Sequence, residues 1–168
     1  MNDPAWLRAA RSYIGTKEIV GAKHSTVIMG WIARLGAKLL GTKVADDETP
    51  WCGTFMAQVM TQVGLAAPPI AVRASSWGEW GRQLLAPRLG CVLVFKRNGG
   101  GHVGLYLGET KTAYRVLGGN QGNMVSETWI AKNRLAPGGM RWPFGVELPP
   151  AKPVNLAADG TAISRNEA

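Results

Sequence analysis

The feature that most constrains the fold is a change of period close to Pro87. Before it, apolar residues recur every three or four positions. After it, CVLVF (91–95), HVGLYLG (102–108), YRVLGG (114–119), MVSETWI (124–130) and MRWPF (140–144) read as short strands. NGGG, GETKT and NQGN lie between them, and all three form turns readily. Helices first and consecutive short strands second predict an α+β domain, with N-terminal helices packed on an antiparallel β-sheet.

The helical part divides at its own punctuation. Asp3-Pro4 opens a first helix with Trp6, Leu7, Ala10 and Ile14 on one side, ended by Gly15. A second helix over residues 25–35 carries Ile28, Ile32 and Leu35. Gly36 and Gly41 then reduce the stretch up to Thr49 to a short helix and a loop. In TPWCGTF, Thr49 is a good N-cap and Pro50 suits the first helical position. Phe55, Val59 and Val63, with Met56 and Met60 beside them, give this third helix its apolar face, and Gly64 stops it. A fourth short helix comes after the proline link 67–69, capped by Ser75 or Ser76 and burying Trp77, Trp80 and Leu84.

A chain of 168 residues suits one domain, placed at 1–148, with 149–168 as a flexible tail that lacks periodicity. No run of apolar residues is long enough to span a membrane, and MNDPAWLRAARSYIG lacks the pattern of a secretory signal. Synthesis in a bacterial cytoplasm, with both thiols free, is the expectation. The net charge of +8 is spread over scattered lysines and arginines. It forms no basic block with interleaved aromatics, so it predicts general attraction to a polyanion such as a cell wall rather than a nucleic-acid site.

Only two cysteines occur, Cys52 and Cys91. Alone, the position of Cys52 allows a packed core thiol, half of a disulfide, or a nucleophile. As a first-turn residue it faces free backbone N–H groups and the positive end of the helix dipole, which favour a thiolate. Asp46, Asp47 and Glu48 just upstream oppose this. A nucleophile also needs a base, and the chain has two histidines. His24, between Lys23 and Ser25, reads as a solvated or capping residue. His102 comes after three glycines and opens a strand, either as a solvent-facing end residue or as an imidazole fixed on a rigid element. Asn120 ends the next strand, where its amide oxygen can accept the imidazole N–H and turn the other nitrogen toward sulfur.

Cysteine on a helix start, histidine on a strand and asparagine on the neighbouring strand follow the order of nucleophile, base and orienter. The set DETPWCGTFMAQVM, PRLGCVLVFKR, GGHVGLYLGE, VLGGNQGNMVS and RWP, from Trp6 to Pro143, resembles the CHAP and NlpC-type cysteine peptidases that cut bacterial peptidoglycan. The likeness is greatest to the CHAP-like group of phage endolysins and related antimicrobial wall hydrolases. The resemblance implies a papain-like fold with Cys52 as nucleophile, His102 as base and Asn120 as third polar residue. Two positions depart from the pattern. Cys91 stands where many relatives have Asp, which makes it a structural strand residue. Gly118 stands where they often have Glu, so Gln121 is the alternative orienter to Asn120.

The resemblance further implies hydrolysis of a peptidoglycan amide bond by a monomer that uses no cofactor or metal. The bond is either the N-acetylmuramoyl-L-alanine link of an amidase or a peptide bond of an endopeptidase. Release to the wall would go through a holin or another export route. A virion lysin, a secreted amidase effector and, further off, a basic nucleic-acid-binding protein are the alternatives. Trp31, Trp51, Trp77, Trp80 and Trp129 are core residues first and candidate lining of a sugar or peptide groove second.

Overall fold

A computed structural model describes residues 2–156. Three helices precede a six-stranded antiparallel sheet, giving an α+β architecture. Helix α1 (Ala5–Ser12) starts where the Pro4 carbonyl accepts the N–H groups of Leu7 and Arg8, and it buries Trp6, Leu7, Ala9 and Ala10. Ile14 lies beyond its end and is exposed, not on the buried face expected for it. Helix α2 (Thr26–Leu40) is capped by Ser25, whose hydroxyl accepts the Ile28 N–H. Gly36 breaks it with φ 79° and ψ 157°, a conformation that glycine adopts without strain. The interruption expected there is thus a kink.

Helix α3 (Cys52–Gln62) is the centre of the molecule. It is buried from Cys52 to Met60, packed against α1 and α2 and against the sheet. Thr49 does not cap it. One Asp46 carboxylate oxygen accepts both the Thr49 N–H at 2.7 Å and the Thr49 hydroxyl at 2.9 Å, which holds 46–49 in a turn. The first helical bond runs from Phe55 N–H to the Trp51 carbonyl, so Cys52 is the first residue of the helix. The fourth helix expected near 75–84 is a 3₁₀ turn, Ala74–Glu79, followed by the two-residue strand β1 (Arg82–Gln83).

The other strands are β2 (Val92–Arg97), β3 (Gly100–Glu109), β4 (Ala113–Gly118), β5 (Ser126–Ala131) and β6 (Leu135–Trp142), in the order β1-β6-β2-β3-β4-β5. Strands β2 to β5 form a meander, and β6 returns to pair with β2 on its free side. In β2–β3 the register places Phe95 opposite His102. Strand β4 pairs with β3, Leu117 opposite Leu105, so the end of β4 comes beside the start of β3. Of the tail expected from residue 149, 154–156 run along β3. The Glu109 N–H donates to the Val154 carbonyl, and the Leu156 N–H donates to the Glu109 carbonyl, both at 2.8 Å. The rest of the expected tail, 157–168, lies outside the described residues. No helix among the described residues is long and apolar enough to cross a membrane.

Candidate active site

The start of α3 meets the start of β3. Cys52 is 5% exposed, and its thiol lies against the backbone N–H of Val103, the residue after His102. Burial pushes the Cys52 thiol pKa up. The Val103 N–H, the charge of Arg97 and the Gly53 N–H act against burial without overcoming it. The helix start therefore does not suffice to ionise the thiol. Nor are the upstream acids what raises it, because Asp46 is bonded within its own turn and Asp47 and Glu48 are turned to the 19–25 loop. Asp47 accepts the N–H groups of Ile19 at 2.9 Å and Ser25 at 2.6 Å, and Glu48 accepts that of Gly21. A thiol held protonated by burial reacts only if a neighbouring base takes its proton as it attacks.

His102 is fully buried in β3, its ring stacked on Phe95. Its Nε2 is 2.8 Å from Gln121 Oε1. The orientation of that amide is set by its other end, because Gln121 Nε2 donates to the Ser126 carbonyl at 2.6 Å and to the Val116 carbonyl at 3.2 Å. With the amide nitrogen spent on two carbonyls, the oxygen faces the ring. An amide oxygen only accepts, so the neutral imidazole carries its proton on Nε2 and its lone pair on Nδ1. That is the tautomer a general base requires.

Of the two candidate orienters, it is Gln121 that bonds the ring. Asn120 has φ 57° and is 5% exposed, and its Oδ1 has no hydrogen-bond partner among the described residues. Gly118 explains how Gln121 reaches the ring. A Cβ at 118 would lie 2.6 Å from Gln121 Oε1 and 3.3 Å from His102 Nε2, so the absent side chain leaves the space that the glutamine amide fills. Gly119 is equally tight, its missing Cβ 2.6 Å from that of Phe55, which lets this turn press on α3.

Cys52 opens on a cleft of about 780 Å³. Pro50, Arg73, Glu79, Lys96 and Arg97 line it with the glycines 99–101. The N–H groups of Cys52 and Gly53 precede the first helical hydrogen bond and stand beside the sulfur, where an oxyanion on an attacked carbonyl would form. The charged side chains of this cleft carry no sequence signal, since they are a few among many scattered cations. The tryptophans are all buried, and of them Trp80 lines a second cleft beside Pro143 and Phe144. His24 lies apart from this site, its Nδ1 3.0 Å from Asp47 Oδ1. Among the described residues no cluster of histidine, cysteine and carboxylates could hold a metal ion. No protein-family model matches the chain, and no curated protein matches its sequence.

Proposed function

We propose that this protein is a cysteine hydrolase of papain-like arrangement that cleaves an amide bond of bacterial peptidoglycan. One observation carries the chemistry: Gln121 fixes the His102 tautomer that leaves Nδ1 basic, one residue from the backbone N–H on which the Cys52 thiol rests. The wall substrate rests on the resemblance of the Cys52, His102 and Asn120 motifs to the CHAP and NlpC-type peptidases.

In this mechanism His102 Nδ1 takes the thiol proton while sulfur bonds to the amide carbonyl carbon. The N–H groups at the start of α3 receive the negative oxygen. The imidazolium returns its proton to the leaving nitrogen as the C–N bond breaks, which leaves a thioester. Water then attacks, giving a proton to His102, and the C–S bond breaks to restore the thiol. Gln121 keeps the ring aligned through both halves, and Asn120 shapes the turn that carries Gln121.

Mass spectrometry of purified peptidoglycan after digestion tests the proposal and identifies the bond. New amine and carboxyl ends should appear with the wild type and not with Cys52→Ala. Equal product from both proteins would reject the mechanism, and no product from either would reject the substrate.

A further inference from the structure

We infer that the cleft in front of Cys52 reads a free carboxylate on the substrate, close to the scissile amide, through Arg73, Lys96 and Arg97. The inference rests on the hydrolase function proposed above and adds to it the charge of the substrate at the bond that is cut.

Three cations and a single carboxylate, Glu79, line this cleft, so its walls carry excess positive charge. The cations converge from two elements: Arg73 precedes the 3₁₀ turn Ala74–Glu79, and Lys96 and Arg97 end β2. None of their side chains is held by a hydrogen bond or ion pair among the described residues. Other cations are engaged by the fold. Arg11 pairs with Asp3, Arg34 donates to Gln58 and Thr61, and Arg88 donates to the Pro149 carbonyl. Cations left without acidic partners around a nucleophile are placed for an anion that arrives with the substrate.

Arg97 also fixes where that anion sits. Its charge reaches the Cys52 sulfur, so a carboxylate bound to it lies near the bond under attack. Guanidinium suits a carboxylate because its planar fork meets both oxygens at once. Glu79 repels an acid from its own wall and so gives the cleft a polarity. A phosphate polymer would need a longer basic track than three side chains in a cleft of about 780 Å³.

The test separates binding from turnover by using full-length Cys52→Ala protein. Two synthetic stem-type peptides are titrated calorimetrically, identical except for a carboxylate or a carboxamide beside the scissile amide. The carboxylate form should bind about tenfold tighter. Arg73→Gln and Lys96→Gln should each reduce that preference, Arg97→Gln should largely abolish it, and Arg97→Lys should restore part of it. Equal affinity for the two peptides, or binding of neither, overturns the inference. So does displacement of the carboxylate peptide by an equimolar short oligonucleotide.

Kinetics with the intact thiol isolate the second effect of Arg97. If Arg97 acts only on the sulfur, Arg97→Gln slows both substrates equally. If it reads the carboxylate, the carboxylate substrate loses more. Failure of the hydrolase function itself would be seen separately, as peptidoglycan left uncut by the wild type.

Discussion

Cys52 and Cys91 are both buried thiols, and burial raises the pKa of both. Cys91 is sealed at the edge of β2, its N–H donating to the Arg88 carbonyl and its carbonyl accepting from Tyr106, and its pKa is pushed up to about 12. Cys52 starts a helix, rests against the strand that carries His102, and opens on a cleft. Burial by itself makes a thiol inert. In the proposed mechanism a base beside it and a route for substrate make the same burial useful, since the sulfur is deprotonated only as it attacks a bound substrate. The two histidines differ in the same way. His24 has a carboxylate partner in Asp47, a stronger acceptor than the amide of Gln121, yet it faces a surface loop with no thiol.

The largest effects should come from breaking the Cys52 side of this contrast. Cys52→Ala should abolish turnover, and His102→Ala should lower kcat by about 10²–10⁴-fold. Cys52→Ala should keep the wild-type Tm in thermal melts. His102→Ala should stay folded with a lower Tm, because it empties a buried site and leaves Gln121 Oε1 unpaired. Cys91→Val, by contrast, should cleave peptidoglycan at close to the wild-type rate. Activity lost in Cys91→Val with Tm unchanged would erase the distinction between the two thiols.

Next in size is the orienting bond. Gln121→Ala leaves the buried His102 Nε2–H without its acceptor, a loss of about 1–3 kcal/mol, which if expressed in the barrier is about 5- to 150-fold in kcat, with KM little changed. Gln121→Glu keeps an acceptor for the ring but sets its second oxygen against the Ser126 and Val116 carbonyls, so it should recover kcat only in part. It should also move the acidic limb of the pH–rate profile upward, because a carboxylate favours the imidazolium. Asn120→Ala should affect kcat less than Gln121→Ala. The reverse order in steady-state kinetics would give the orienting role to Asn120.

A subtler difference concerns alkaline stability. The Cys91 thiol binds its proton more tightly when folded, at about 12 against an ordinary 9.0, so its contribution to stability is complete below pH 9 and is lost as pH rises toward 12. Cys91→Val removes that dependence, and denaturant melts between pH 8 and 11 should show a flatter stability curve for the variant. Parallel curves would mean that Cys91 is not sealed.

The smallest effect belongs to the His24 pair. Burial works to raise the Asp47 pKa, but the N–H groups of Ser25 and Ile19, with His24, outweigh it and hold the carboxyl below its ordinary 3.8. Its contribution is therefore present above pH 3.8 and disappears as pH falls through the lower folded value. Asp47→Asn should lower stability by about 1–2 kcal/mol at pH 7 and by progressively less on acidification below pH 4, read by urea melts, with no change in kcat.

Much of the fold is legible in the sequence, because long-period signals survive tertiary packing. The strand set, the α3 face of Phe55, Val59 and Met60, and the break at Gly36 all follow from spacing. Spacing misplaces the start of α3 because Asp46 captures Thr49 in a local turn that competes with capping. The stretch after Ser75 tightens to 3₁₀, where Trp77 reaches the Ala71 carbonyl and β1 joins β6. Nor can spacing choose between Asn120 and Gln121, since neighbours in a turn differ only by backbone conformation. Asn120 takes the left-handed region, and the vacancy at Gly118 admits Gln121. The path of 154–156 along β3 has no periodic signature, because backbone groups and the Tyr106 hydroxyl hold it, with only Val154 and Leu156 adding apolar contacts.

In the proposed mechanism His102 activates Cys52 and leaves Cys91 inert, a difference that site-resolved alkylation reads thiol by thiol. Native protein is treated with iodoacetamide near neutral pH, and modification at each cysteine is followed by peptide mass spectrometry alongside peptidoglycan cleavage. Cys52 should be modified in step with loss of activity and at least about tenfold faster than in His102→Ala. Cys91 should remain unmodified until the protein unfolds. Equal Cys52 rates in the two proteins, or full activity after complete modification of Cys52, would contradict activation by His102.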